Sequence, residues 1–144
     1  DDRPRTTGIR HMIILETDVI CELLRPDPNR HVLDWLSGLD GTSVFLTAVT
    51  ESELRLSVTR LPKEQDPLSV LLDQIIAQDF CGRVLPFDGK AAKACAMIAA
   101  TCPTLSMASC QVAAIARTHS ATIATGKTAD LAACGIPLIN PWTS

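Results

Sequence analysis

The stretch Ile13-Ile14-Leu15-Glu16-Thr17-Asp18-Val19-Ile20 reads as an apolar strand that runs straight into two carboxylates. Near the other end, Ala121-Thr122-Ile123-Ala124-Thr125-Gly126-Lys127-Thr128-Ala129-Asp130 is a second apolar strand that stops at a polar loop. In an open α/β sheet, ligands bind outside the carboxyl ends of the strands. Two such strands side by side in one parallel sheet bring their loops to one place. Glu16, Asp18, Asp130 and a helical Glu53 can then converge there. Converging carboxylates suit a hard cation such as Mg²⁺, and that cation suits phosphoryl chemistry. Taken singly, a carboxylate is more often a solvated surface group or a helix cap than a ligand. Glu16 and Asp18 have the better case, because their neighbours in the chain should be buried and buried carboxylates need partners.

Working outward from Met12, short apolar runs alternate with helical periods. Strands are expected at Met12–Leu15, Ser43–Leu46, Arg83–Phe87, Ala121–Thr125 and Pro137–Ile139. A short helix over Val19–Leu24 stops at Arg25-Pro26-Asp27-Pro28. Asn29 can cap a second helix whose apolar face is Val32, Leu33, Trp35, Leu36 and Leu39. Thr47 or Thr50 can cap a third, running to about Arg60, and Thr50-Glu51-Ser52-Glu53 matches a capping box. Pro67 opens a helix that the pattern carries to about Phe80. Asp88 caps an alanine-rich helix to about Thr101, Ser106 opens Met107–His119, and Thr128–Cys134 is a short helical turn. Strand then helix, repeated, argues for an α/β fold with a mostly parallel sheet of four to five strands.

The bulk properties bound the function. A chain of 144 residues fits one domain, expected over 12–144. Residues 1–11 are polar and aperiodic, and are expected to be a mobile tail ahead of a natural start at Met12. Hydrophobic residues make up 47% and aromatics only 3%, so the core must be aliphatic. A net charge of −3 and the lack of any basic run make the chain a poor direct DNA binder. Six cysteines without a Cys-x-x-Cys pair, and three isolated histidines, offer no zinc pattern; the cysteines read as small buried hydrophobes in a cytoplasmic protein. No apolar run approaches the ~20 residues of a membrane span. Gly126-Lys127-Thr128 resembles the end of a phosphate-binding P-loop, but that motif needs glycine where Ala121 stands. No Gly-x-Ser-x-Gly elbow exists, which argues against Ser/His/Asp catalysis.

An ordered set of motifs resembles one family. Ile14-Leu15-Glu16-Thr17-Asp18-Val19-Ile20, Leu24-Arg25-Pro26-Asp27-Pro28-Asn29 and Val32-Leu33-Asp34-Trp35-Leu36 come first. Leu46-Thr47-Ala48-Val49-Thr50-Glu51-Ser52-Glu53-Leu54-Arg55, Phe80–Asp88, Gln111–Ala116 and Asn140-Pro141-Trp142 follow. Together they resemble PIN-domain proteins of the VapC/FitB type, the toxin half of bacterial toxin–antitoxin pairs, across 12–142. The resemblance implies a three-layer α/β/α sandwich. It also implies a ribonuclease that uses Mg²⁺ or Mn²⁺ to polarise the scissile phosphate and to generate hydroxide from water. The catalytic and metal-binding acids implied are Glu16, Asp18, Glu53 and Asp130, with Thr17, Ser109, Thr125 and Lys127 as neighbouring site positions.

Three of these positions depart from the family pattern. Glu16 stands for Asp, which pushes the carboxylate out by one carbon, roughly 1.5 Å. Ser109 stands for an acid, and Lys127 stands for another, with Gly126 in place of an Arg before it. A Lys amine can take the place of a cation, so an ion pair between Lys127 and one or more of the acids is expected. Two functions stay open: a toxin-type ribonuclease, and a non-catalytic PIN scaffold that binds an antitoxin or RNA without cleavage. The resemblance further implies a homodimer, consistent with apolar faces on Val32–Leu39 and Pro67–Phe80. It also implies an antitoxin helix lying in a groove of the early helices, with an antitoxin Arg entering the acidic site.

Overall fold

The computed structural model describes residues 11–62 and 66–144, so the expected tail lies outside the described residues but for His11. Five strands form one parallel sheet: β1 (Ile13–Leu15), β2 (Val44–Thr47), β3 (Val84–Leu85), β4 (Thr122–Ala124) and β5 (Leu138–Ile139). Their order across the sheet is β3-β2-β1-β4-β5. Ile13 lies opposite Val44 on one side and Thr122 on the other, and Leu15 lies opposite Ala124. The chain builds outward from β1 in one direction, then returns and builds outward from β1 in the other. The order therefore reverses between β1 and β4, which is where open α/β sheets form their binding crevice.

Period-two alternation divides the strands between two cores. Ile14, Phe45 and Ile123 point to the face covered by α5 (Gly89–Thr101), α6 (Met107–Thr118) and α7 (Thr128–Leu131). Ile13, Leu15, Val44, Leu46 and Ala124 point to the face covered by α1 (Thr17–Leu23), α2 (Arg30–Ser37), α3 (Ala48–Thr59) and α4 (Asp66–Gln74). The result is the three-layer α/β/α sandwich, with an aliphatic core on either side of the sheet.

Caps explain most helix starts. The Asn29 side chain accepts from the backbone N–H groups of His31 and Val32, Asp88 from Ala91, and Ser106 from Ser109. Thr47, not Thr50, caps α3, accepting from Thr50 N–H at 3.1 Å. The capping-box reading of Thr50 and Glu53 therefore fails: Thr50 lies inside the helix and Glu53 bonds elsewhere. Helix α1 starts at Thr17, two residues earlier than the apolar pattern indicated, so Asp18 sits in its first turn. Helix α4 ends at Gln74 and widens into a π turn over Ile75–Asp79, closed by Phe80 N–H to Ile75 C=O at 3.2 Å. Strand β3 is shorter than Arg83–Phe87, because Pro86 has no N–H to give a ladder and Phe87 is exposed.

The apolar face of α2 is spent within the chain: Val32 is fully buried, and Trp35, Leu36 and Leu39 pack against the same core. On α4, Leu72 is buried while Val70 and Leu71 remain exposed. Ile14, with no exposed surface, is the central strand's anchor in the α5/α6 core. Truncating it to Ala should cost about 2–5 kcal/mol. Met97→Ala, at a residue 67% exposed, should stay within about 0.5 kcal/mol. Urea unfolding followed by circular dichroism measures both.

Candidate active site

Glu16 is the residue after β1, and its backbone N–H donates to Ala124 C=O of β4 at 3.0 Å. That bond extends the β1/β4 pairing by one step and holds the Glu16 side chain in the crevice at 8% exposure. Asp18 follows on the first turn of α1. Its carboxylate accepts from Gly126 N–H at 2.8 Å and from the Thr125 hydroxyl at 3.2 Å. Thr125 is fully buried, and its oxygen also accepts from Lys127 N–H at 3.1 Å. The loop after β4 therefore aims Asp18 from below with one backbone and one side-chain donor. Thr17 does the same for the helical acid: its hydroxyl donates to Glu53 at 2.6 Å.

Three carboxylates thus gather at the strand-order reversal. The electrostatic consequence falls on Glu16, the most buried. Loss of solvent, foremost, then repulsion from Asp18 and Glu53, pushes its carboxyl up to about 7 from an ordinary 4.5, with Lys127 offsetting a part. Negative charge here is under-compensated by the chain's own groups.

The remaining positions separate from this trio. Asp130 lies in the first turn of α7, exposed, and no side-chain hydrogen bond or ion pair joins it to the others. The Ser109 hydroxyl accepts from the Ser106 hydroxyl at 3.0 Å, within its own helix cap. Gln111, two residues further along α6, lines the hollow beside Glu53 together with Ser52 and Ala108. Lys127 is exposed and makes no ion pair with any of the four acids, contrary to the expectation from sequence. The physical reason is hydration: an ammonium on a flexible stem loses more by leaving water than an exposed pair returns. Lys127 acts on Glu16 through space instead.

Two residues escaped the sequence reading. Trp142 lies against Gly126: a Cβ at position 126 would stand 3.1 Å from Trp142 Cζ3 and 3.2 Å from Asp18 Oδ2. Glycine lets the indole and the carboxylate close in on this backbone together; a Cβ would require both to give by a few tenths of an ångström. Glu22, a buried acid of α1, accepts from Asn29 N–H at 2.8 Å and from the Arg25 guanidinium at 3.3 Å. The Asn29 bond, foremost, holds the Glu22 carboxyl below its ordinary value. The only sequence signal was an apolar ring at the far end of the chain, which reads as edge packing.

A divalent cation fits this donor set in one form. Among the described residues no three acids converge as a ready-made cage. Mg²⁺ commonly takes one or two carboxylates and completes its shell with water and phosphate. Glu16 and Asp18 supply that number, and the strained charge on Glu16 is what such an ion relieves.

Comparison with known proteins follows the same lines. The PIN domain family matches residues 13–129. Toxin FitB of Neisseria gonorrhoeae is 41% identical over 91% of this chain and 99% of its own length. VapC ribonuclease Y4jK of Sinorhizobium fredii is 34% identical over 91% of this chain and 98% of its own. The crystal structure of FitAcB from Neisseria gonorrhoeae superposes with a TM-score of 0.86 at 40% identity, covering 92% of this chain and all of that one. A structure of FitAB bound to an IR36 DNA fragment superposes at 0.85 and 39% identity, covering 91% and 96%.

The raised Glu16 carboxyl makes stability depend on pH. Between 4.5 and about 7 the folded chain holds a proton that the unfolded chain has lost. Stability contributed by this group is therefore full below 4.5 and falls as pH rises through about 7. The loss is on the order of 3 kcal/mol. Urea midpoints measured in a chelator from pH 4.5 to 8 should show this fall, and Glu16→Gln should flatten it.

Proposed function

The chain belongs to the PIN-domain family, and from that membership we propose that it is the toxin half of a toxin–antitoxin pair and a metal-dependent ribonuclease. The observation that carries the reading is the crowding of Glu16, Asp18 and Glu53 at the strand-order reversal, with Glu16 pushed up to about 7. Mg²⁺ or Mn²⁺, held by Glu16 and Asp18, would supply Lewis-acid stabilisation of the phosphate and an activated water. The rest falls to the chain. Thr125 and the Gly126 amide fix the Asp18 carboxylate, and Thr17 fixes Glu53. Lys127, exposed and unpaired with the acids, is free to meet an RNA phosphate at the mouth of the crevice. Asp130 is assigned an outer role, beyond the trio.

The second reading, a PIN scaffold that binds without cleaving, has a specific observation in its favour: position 109 offers a neutral hydroxyl, bonded to Ser106, and no carboxylate. RNA cleavage with and without Mg²⁺ or Mn²⁺ separates the two. On the ribonuclease reading cleavage requires the ion and falls to background in Asp18→Ala. Thr125→Val, which removes an orienting donor, should lower it about 10- to 100-fold. Cleavage absent at millimolar metal, in a chain that still binds RNA, would establish the scaffold.

For the antitoxin, a cavity of about 430 Å³ opens between α1, α2 and the π turn, lined by Ile20, Leu23, Leu24, Leu36, Leu39 and Phe80. An amphipathic partner helix with apolar anchors suits it. Any DNA contact of the pair is assigned to the partner, since this chain is acidic. With an antitoxin Arg entering the site, Lys127 opposes it, so Lys127→Asp should tighten the complex about two- to fivefold, the scale of an exposed charge pair. Isothermal titration measures it. The homodimer is proposed through remaining exposed apolar residues such as Val70 and Leu71; light scattering at micromolar concentration should give twice the chain mass.

A further inference from the structure

The metal chemistry leaves the hollow beside Glu53 unused. This hollow lies between the first turns of α3 and α6 and has a volume of about 370 Å³. That falls within the range of small-ligand sites, about 300–1,000 Å³. Helical spacing builds its walls: Ala48, Val49 and Ser52 line it from α3, and Ala108 and Gln111 line it from α6. Small side chains at 48 and 108 keep it open. Gln111 is half-buried, yet its amide makes no hydrogen bond with any described residue, and neither does the Ser52 hydroxyl. Glu53 belongs to two places at once. It borders the hollow, and its carboxylate, fixed by Thr17 at 2.6 Å, is one of the three crowded acids. A ligand in the hollow therefore sits beside the acidic site. Solvation alone explains a glutamine on an open helix face. Gln111 instead presents an unpartnered amide to a partly aliphatic hollow that shares a wall with the acids.

We propose that this hollow is a nucleobase subsite and that Gln111 reads adenine in it. The proposal rests on the ribonuclease reading for its ligand, single-stranded RNA. Such RNA is recognised through splayed bases, hydrogen-bonded on their Watson–Crick and Hoogsteen edges. A carboxamide offers an acceptor beside a donor. Adenine offers the complement on both edges, its N6–H beside N1 and beside N7. Guanine has two acceptors on its Hoogsteen edge, and the pyrimidines carry the complement on one edge only. The adenine amino group also keeps a second hydrogen for Ser52 or Glu53, which the carbonyls of guanine and uracil cannot supply. The walls from Ala48, Val49 and Ala108 contact the flat faces of a base without stacking it on an aromatic ring. Affinity is then modest and selectivity rests on the edge. Gln111 is a specificity residue in this scheme: it touches the base and takes no part in the bond change.

The test uses neutral nucleosides, which need neither a metal nor a phosphate contact and so do not depend on cleavage. Adenosine, guanosine, cytidine and uridine are titrated in chelator into the full isotope-labelled chain. Nuclear magnetic resonance follows the Gln111 side-chain amide and the backbone amides of Val49 and Ala108. Adenosine should shift them, with an affinity about five- to tenfold above the other three, the low end for a bidentate base contact because the hollow is open to water. Gln111→Glu keeps the shape of the side chain but loses the donor, and should remove the preference, read on the backbone amides. Ala108→Leu fills the hollow and should abolish the shifts with Gln111 intact. Circular dichroism verifies folding; if one variant fails to fold, the other decides with the parent. Adenosine shifts in a chain that cuts no RNA with Mg²⁺ or Mn²⁺ would support the subsite and remove only the ribonuclease reading. No shift with adenosine, an equal response to all four nucleosides, or a preference that survives Gln111→Glu would overturn the proposal.

Discussion

The hydrogen bond from Gly126 N–H to the Asp18 carboxylate, 2.8 Å long, joins the two halves of the sheet at the point where they diverge. Strand β1 is central, with β2 and β3 on one side and β4 and β5 on the other. Chain leaving β1 and chain leaving β4 emerge together at the same edge, and nothing in the sheet's own ladder continues beyond Glu16 N–H to Ala124 C=O. Helix α1 and the β4 loop must therefore be tied by side chains. Asp18 does this as an acceptor for the backbone and Thr125. Its charge-assisted bonds are stronger than neutral ones, and they leave a carboxylate, rather than an apolar contact, at the base of the crevice.

That arrangement sets the electrostatics of everything nearby. Asp18 is fixed by one backbone and one side-chain donor, and Glu53 is fixed by Thr17. Glu16, the most buried of the three, takes the burden. A carboxylate one carbon longer than Asp does not escape the crowding by reaching outward, because the backbone bond to β4 keeps it at 8% exposure. The three acids leave this end of the crevice short of positive charge, and Glu16 carries the cost.

The fold was legible because every signal agreed. Apolar runs of strand length, caps at Asn29, Asp88 and Ser106, and the family-like motifs all pointed to an alternating parallel sandwich. The deviations come from tertiary context. Thr50-x-x-Glu53 has the spacing of a capping box, yet Glu53 is recruited 36 residues away by Thr17. The period of α4 runs on through Ile75 and Ile76, but a π turn carries them onto the core. Within the site, Glu16, Asp18 and Glu53 were legible as acids at strand and helix ends. Glu22 and Trp142 were not, since an acid held by the Asn29 amide and an indole laid against Gly126 leave no periodic trace.

Lys127 shows why charge alone is a poor guide to contact. An ammonium among four nearby carboxylates invites an ion pair on paper, but the loop that carries it is anchored by its backbone to Thr125 and leaves the side chain exposed. Water then competes directly with the acids for the amine, and at such a surface the net gain of pairing is small. Its field still reaches Glu16 and lowers the cost of ionising it. A charge that tunes a site without closing it leaves the crevice open to a ligand. The same loop holds Asp18 by its Gly126 amide, so one short segment both shapes the acidic seat and moderates its charge. Gly126 makes the two tasks compatible, because a side chain there would meet Trp142 and Asp18 at once.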